Sequence, residues 1–252
     1  MTSSWPAALL ISLGLIASTI IGSQTYFTVK SFDNSITVTG SAERTVTSDR
    51  AKWTAGFSRS TGIEDFKAGN DGMQKDLTTV KQLFKDRGIA DSDVTVQAPS
   101  VTPVCEGQGS LGYDKLGQNC GSNKTVGYTI QQTVIVESNE VDKVTKLSQE
   151  ASGALSNSGI MFTTGSLEYY FSKLDDLKLE MLGEATNNAQ ARAQKILDAT
   201  HTKLGGLQNA GMGVFQVTPV NSTEVSDYGT YDTSSIDKKI TAIVHASFKL
   251  QQ

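Results

Sequence analysis

Apolar and polar residues alternate along several stretches of this chain, and a period of two residues predicts β-strands. The predicted strands cover residues 36–40, 45–58, 94–104, 126–137, 161–171, 213–220 and 240–250, with a turn over Ser41–Arg44 between the first two. Apolar residues recur every three or four positions over 63–87, 141–155 and 173–201, which predicts three helices. This order predicts an α+β fold, a largely antiparallel sheet with helices packed on one face.

An uncharged apolar segment, Trp5 to Gly22, precedes this pattern. Its length of about eighteen residues is the lower limit for crossing a bilayer, so we expect one N-terminal transmembrane helix. The chain then divides into a membrane anchor over 1–30 and one α+β domain over 31–252. The anchor side chains are Trp5, Leu9, Leu13, Ile16, Ile20 and Ile21. A cleaved signal peptide and a buried helix stay open as alternatives, although the basic residues and the small-x-small site of a signal peptide are missing.

The chain has two cysteines, Cys105 and Cys120, in a glycine-rich insert between two predicted strands. They lack the C-x-x-C spacing and the neighbouring histidines of a zinc or thioredoxin-like site. We expect a structural disulfide that closes the insert, with two unpaired thiols as the alternative. A disulfide persists in an oxidising compartment, which favours a periplasmic or external domain. Basic residues such as Lys30 and Arg44 follow the apolar segment, however, and by the positive-inside rule they favour the opposite orientation.

Charge and motifs exclude several classes of function. The net charge is −4 and the basic residues are scattered, so nucleic acid is not an expected partner. His201 and His245 stand in no metal-ligand spacing, and we expect neither a metal nor a cofactor. The sequence also lacks a G-x-S-x-G nucleophile motif, and we predict no catalytic residue.

Aromatic residues offer a candidate subunit contact. Tyr169, Tyr170 and Phe171 stand at the end of a predicted strand, and Tyr228 and Tyr231 lie in a polar loop before the last strand. Since neighbouring residues of a strand point to opposite faces, one of Tyr169 and Tyr170 must leave the core. These five aromatic residues are a possible oligomer interface, and ordinary core packing with an exposed ring is the alternative.

Three blocks of sequence resemble a known family. They are ITVTGSAERTVTSDRAKW near the start of the domain, ATNNAQARAQKIL followed by KLGGL, and the closing SSIDKKITAIVHASFKL. In this order, over residues 34–250, they resemble the SIMPL-domain family of bacterial periplasmic immunogenic and oxidative-stress-defence proteins, and its membrane-anchored branch in particular. The resemblance implies an α+β fold and ring-like or cage-like homo-oligomers, and it supplies no catalytic residues.

The sequence therefore supports three hypotheses. The first is a non-enzymatic protein, anchored in the inner membrane, that forms a homo-oligomer in the bacterial cell envelope and has other envelope proteins as possible partners. The second is an oxidative-stress-defence factor acting through Cys105 and Cys120, the one redox candidate in the sequence. The third is a hydrolase of envelope material, which requires a pocket with converging titratable groups.

Overall fold

The N-terminal helix, α1, runs over Trp5–Ser31. The structure, a computed structural model, describes residues 5–31, 34–106, 120 and 124–251, with the side chains of α1 described over 12–27. Those side chains are all exposed. Among the predicted anchor residues they include Leu13, Ile16, Ile20 and Ile21. The side chains of Trp5 and Leu9 lie outside the described residues.

The predicted transmembrane span is not confirmed. Within the described residues, none of the helices combines the length and the apolar character that a bilayer crossing needs. The helix itself is present where the sequence predicts it.

The domain behind α1 contains three α-helices and ten strands among its described residues. The helices are α2 (Phe66–Asp86), α3 (Val141–Asn157) and α4 (Leu174–Thr200). The strands are β1 (Ser35–Thr47), β2 (Arg50–Gly62), β3 (Val94–Val96), β4 (Ser100–Cys105), β5 (Thr125–Ser138), β6 (Met161–Tyr170), β7 (Lys203–Met212), β8 (Gln216–Pro219), β9 (Thr230–Tyr231) and β10 (Asp237–Gln251).

The strands form two five-stranded sheets. The terminal sheet has the order β1-β10-β8-β9, with β7 also paired to β10, and the central sheet has the order β3-β5-β2-β6, with β4 also paired to β5. All pairings are antiparallel except the short parallel pair of β8 and β9. The α+β class and the antiparallel character are confirmed, and the single sheet of the sequence interpretation is replaced by two.

The first two strands differ from the prediction in where they break. The predicted turn, Ser41–Arg44, lies inside a continuous β1, and the chain instead leaves β1 at Ser48 and Asp49 before entering β2. Each residue from Ser35 to Thr47 pairs with β10, so the polar residues at 41–44 continue the strand. Polar residues are compatible with a strand when one of its faces is exposed, as it is here.

Two separate cores lie under the two sheets. In the central core, Trp53 is fully buried beneath α2, its ring packs near Phe84 and Phe162, and its Nε1 donates a hydrogen bond to Thr164 Oγ1 at 3.0 Å. The terminal core lies between the terminal sheet and α4. Its helix residues are mostly small: Leu174, Met181, Ala185, Ala189 and Ala193.

The small residues of α4 allow the helix to approach β1 closely. A Cβ atom on Gly40 of β1 would overlap the carbonyl oxygen of Ala185 and the amide nitrogen of Ala189. Gly183 of α4, two residues before Ala185, is exposed, and a Cβ atom on it would have no neighbour within 4 Å. The glycine in β1 therefore sets how closely α4 packs on the terminal sheet.

We predict that Gly40→Ala lowers the free energy of unfolding by about 2 kcal/mol or more, because the backbone of α4 must move to make room. Chemical denaturation of the full chain measures this loss. The matched control is Gly183→Ala, which should raise stability by about 0.5–1 kcal/mol, since alanine favours a helix and meets no neighbour there. Equal effects of the two substitutions would contradict the proposed close approach.

Candidate functional site

A cleft of about 640 Å³ lies where the two sheets meet. Three connections line it: residues 47–50 between β1 and β2, residues 139–142 between β5 and α3, and Ser172 between β6 and α4. Ile236, just before β10, completes the lining. The cleft is therefore lined by the links between successive strands and helices of the two sheets.

Asp49 joins two of these connections. Its carboxylate accepts hydrogen bonds from the Ser172 amide at 2.8 Å and from the Ser172 hydroxyl at 2.6 Å. The amide of Asp49 donates to the Tyr170 carbonyl at 3.0 Å. Asp49 therefore holds two segments together, the link between β1 and β2 and the link between β6 and α4.

Ser48 supplies the unsatisfied polar group of the cleft. Its side chain is 4% exposed, and its hydroxyl has no hydrogen-bond partner among the described residues. Its amide donates to the Ile236 carbonyl at 2.8 Å. This bond extends the pairing of β1 with β10 by one residue. The Ile236 side chain packs against the central core, so it is this packing that links the end of the terminal sheet to the other sheet.

A tight loop over 232–235 precedes Ile236 and is held by a buried lysine. Lys238 Nζ donates to the carbonyl oxygens of Asp232 and Ser235, both at 2.7 Å, and lies 3.4 Å from the Asp232 carboxylate. The side chains of Lys238 and Asp232 are 3% and 9% exposed. The carboxylate also accepts hydrogen bonds from the amides and hydroxyls of Ser234 and Ser235. The loop is therefore fixed internally before it reaches the other sheet, where Thr233 accepts a bond from the Tyr169 amide at 2.7 Å.

The two charged groups of this loop have shifted pKa values. Burial alone would raise the pKa of Asp232, but the hydrogen bonds from Ser235 and Ser234 and the charge of Lys238 outweigh it and hold that pKa well below its usual range. Burial lowers the pKa of Lys238, and its interaction with Asp232 opposes this effect. The charged carboxylate is thus the form that the fold stabilises.

The cleft does not assemble a recognisable catalytic set from its described residues. Neither histidine lines it: His201 ends α4 in a left-handed conformation, and His245 lies on the exposed face of β10, where its Nδ1 is 3.0 Å from the Thr39 hydroxyl. No group of three or more potential ligand side chains among the described residues is arranged to hold a metal ion. In the cleft, the Asp49 carboxylate and the Ser48 amide form hydrogen bonds that join one connection to another.

The predicted disulfide is confirmed, since Cys105 and Cys120 are bonded to each other. Cys105 is 7% exposed and ends β4, next to the start of β5. Residues 107–119 of the insert lie outside the described residues.

The five predicted interface residues separate into two groups. Tyr169 is buried in the central core, where its hydroxyl is 3.0 Å from the Thr145 hydroxyl, and Phe171 packs on the terminal core. Tyr170 is half-buried and donates a hydrogen bond to Glu168, which agrees with the prediction that neighbouring rings point to opposite faces. Tyr228 and Tyr231 are 97% and 54% exposed, so these two are the rings available to a partner.

The sequence interpretation missed an edge strand and the exposed apolar side chains that follow it. Strand β7 begins directly after α4, where glycines interrupt the alternation that identifies a strand, and the predicted strand over 213–220 shortens to β8. The predicted strand over 94–104 is likewise two shorter strands, β3 and β4. The exposed apolar residues from β7 to β9 are Leu207, Met212, Val214, Val220, Val225, Tyr228 and Tyr231. We call these seven side chains the apolar margin of the terminal sheet.

We predict that Asp232→Asn lowers the free energy of unfolding by about 3 kcal/mol at pH 7, because it leaves Lys238 buried without a charged partner. A carboxyl group with a lowered pKa stabilises the fold above its unfolded pKa, near 3.8, and this contribution disappears as the pH falls through the folded value. The gap between the native chain and the variant, measured by urea unfolding, should therefore narrow below about pH 4.

The control for this pH dependence is Asp71→Asn, which breaks the exposed pair of Asp71 with Lys67 and should change stability little at either pH. A gap between the native chain and Asp232→Asn that stays constant from pH 7 to pH 3 would contradict the role assigned to the charged carboxylate.

Comparison with known proteins identifies the family of this chain. The chain has no significant match among curated proteins. The family model described as SIMPL, a protein of unknown function (DUF541), matches residues 36–248, from the second residue of β1 almost to the end of β10. Because the match covers both sheets and most of the chain, the chain belongs to the SIMPL family.

Proposed function

We propose that this chain is a non-enzymatic member of the membrane-tethered branch of its family, and that it acts by assembling into a ring-like or cage-like homo-oligomer in the cell envelope. The observation that carries the proposal is the apolar margin of the terminal sheet. Its seven large side chains are between 37% and 97% exposed and follow one another along residues 207–231.

Packing contacts show that distant parts of this segment lie together. A Cβ atom on Gly229 would be 3.6 Å from the Val214 side chain and 3.0 Å from the Phe215 carbonyl oxygen. The loop after β8 thus folds back beside the residues before β8 and places Tyr228, the neighbour of Gly229, near Val214. On the inner side, the Lys178 ammonium of α4 lies 5.9 Å from the centre of the Phe215 ring.

The size of the margin is consistent with a subunit contact. Side chains as large as Tyr, Met, Leu and Val, exposed to these extents, present several hundred Å² of surface in total. Each partner in a standard protein interface buries about 800 Å², and a contiguous apolar patch of several hundred Å² on a soluble domain often marks an interaction site. A homo-oligomer would bury this surface on every copy.

The cleft between the sheets supports a structural role. Asp49 is engaged by Ser172, and the Ser48 amide is engaged by Ile236. These contacts connect elements of the fold. Hydrolysis would require a nucleophile or a water-activating base placed beside substrate-binding groups. We therefore assign the cleft to the joining of the two sheets.

The proposed location is the periplasmic side of the inner membrane. The Cys105–Cys120 disulfide supports an oxidising compartment. The exposed apolar side chains of α1, such as Leu15 and Ile21, support membrane association, because they have no apolar cover within the described part of the chain. The alternative role in oxidative-stress defence rests on the same disulfide, and the burial of Cys105 favours a structural bond.

We predict that the double variant Val225→Ser and Tyr228→Ser weakens assembly by at least tenfold in dissociation constant, because it removes two of the most exposed side chains of the margin. Light scattering of the detergent-solubilised full chain over a dilution series measures this change. The control is Met161→Ser, since Met161 is 67% exposed but lies on β6 of the other sheet. A native chain that is monomeric at all concentrations would overturn the proposed function.

We also predict that the full chain sediments with membranes after an alkaline carbonate wash, and that Ile20→Asp with Ile21→Asp releases it, because each charge in an apolar membrane segment costs several kcal/mol, about 2.5–3.5 on the insertion scale. Gly14→Ala, on the same helix, should leave the chain in the membrane fraction. Release of the native chain by carbonate would contradict membrane insertion.

A further inference from the structure

We propose that two copies of this chain join through β7, whose outer edge pairs antiparallel with the β7 of the second copy and makes the two terminal sheets continuous. This inference rests on the proposed homo-oligomer and specifies one of its contacts. A free strand edge is a site of pairing with another chain unless it is blocked, and the edges of this domain differ in how they are blocked.

The edge of β1 is covered by side chains of α4. Arg192 donates from its guanidinium to the Thr39 carbonyl at 3.0 Å, and the Asn188 side-chain oxygen accepts from the Ser41 amide at 3.2 Å. Glu184 of α4 also pairs with Arg44 of β1. Two backbone groups in the middle of this edge are thus engaged within the chain, and the side chains of α4 obstruct a partner there.

The edges of the central sheet are protected in other ways. Strand β4 has six residues and contains Pro103, which cannot donate a backbone hydrogen bond. Strand β6 carries Glu168, and near its end the Tyr169 amide is already bonded to the Thr233 carbonyl. Charges, prolines and covering segments are the usual means of blocking edge strands.

Among the described residues, no proline, inward charge or covering segment is found along strand β7. It is ten residues long, contains no proline, and carries its single charge on the first residue, Lys203. Residues 204–212, LGGLQNAGM, are uncharged. Within the described residues β7 pairs with β10 alone, and its exposed side chains include Leu207 and Met212, at 51% and 62%.

The register identifies which β7 amides face outward. On β1, Thr39 and Ser41 direct their backbone groups toward α4, so Gly40 between them faces β10 at its partner Val244. Since backbone groups alternate along a strand, the next residue of β10, His245, faces β7 at Gly211.

A direct contact supports this assignment, because the Gly213 amide donates to the Ile243 carbonyl at 2.9 Å. The backbone groups of Gly211 and Gly213 therefore face β10. Those of Ala210 and Met212, which alternate with the two glycines, point outward. These groups have no partner among the described residues.

The composition of β7 favours a second copy of the same strand as the occupant. Peptides that add to a sheet edge gain affinity from backbone hydrogen bonds and specificity from pockets that receive alternate side chains. Glycines at 205, 206 and 211 leave few side chains with which to form such pockets. In an antiparallel pair of β7 strands the two Lys203 residues lie at opposite ends, so no like charges face each other, and the neighbouring apolar margin of each copy is brought close to the contact.

The test is Ala210→Pro in the full chain, which removes an outward amide while sparing the bonds of Gly211 and Asn209 to β10. We expect the dissociation constant of the contact to rise at least tenfold, measured by light scattering on dilution, with circular dichroism used to check the fold. The matched variant Ala210→Ser keeps the amide and should assemble as the native chain does.

A second measurement does not depend on a variant that might misfold. Hydrogen exchange of the native full chain should show protection of Ala210 and Met212 amides at concentrations where it is assembled, and loss of that protection on dilution. An assembled native chain with unprotected 210 and 212 amides, or with normal assembly of Ala210→Pro, would overturn the β7 contact and leave the proposed function standing. A monomeric native chain would overturn both.

Discussion

The structure depends on a short connection between two sheets. Only Ser48 and Asp49 separate β1 from β2, although the two strands belong to different sheets. A two-residue link leaves the sheets no freedom to separate, so the remaining connections must close around the same point. They do so through Asp49, which binds Ser172, and through Ile236, which binds the Ser48 amide and packs on the central core.

The buried pair of Lys238 and Asp232 fixes the loop over 232–235, which contacts the central sheet. A buried ion pair gains its attraction at the cost of desolvating two charges, and its net contribution to stability is often small. Here the same lysine also satisfies two backbone carbonyls, and the carboxylate is surrounded by serine amides and hydroxyls. The network therefore selects one conformation of the loop, the one that presents Thr233 and Ile236 to the central sheet.

The cleft and the apolar margin differ in how far their groups are engaged within the chain. At the junction, polar groups are largely engaged with one another, and a large hydrophobic core on each side holds them in place. Along β7 to β9, by contrast, large apolar side chains are exposed, and within the described residues β7 pairs with β10 alone. Arg192 and Asn188 cover part of the β1 edge, whereas the described residues provide no comparable cover at Ala210 and Met212 of β7.

The sequence was sufficient for the elements with strong periodicity. Apolar residues at helical spacing placed α4 within a residue or so of its ends, and the alternation in β5 and β10 identified both as strands. The disulfide also followed from the isolation of its two cysteines. The Ser41–Arg44 turn failed because polar residues on an exposed strand face resemble a turn, and β7 was missed because its glycines carry no alternation. The meeting of the connections could not be predicted, since Ser48 contacts Ile236 and Asp49 contacts Ser172 only across long separations in sequence.

Electron cryomicroscopy of the detergent-solubilised full chain would decide whether the chain assembles through the apolar margin, because it shows both the number of copies and the residues between them. We expect a closed homo-oligomer in which residues 207–231 of each copy are buried against a neighbour. Single copies, or an assembly whose contacts leave these residues in solvent, would contradict it.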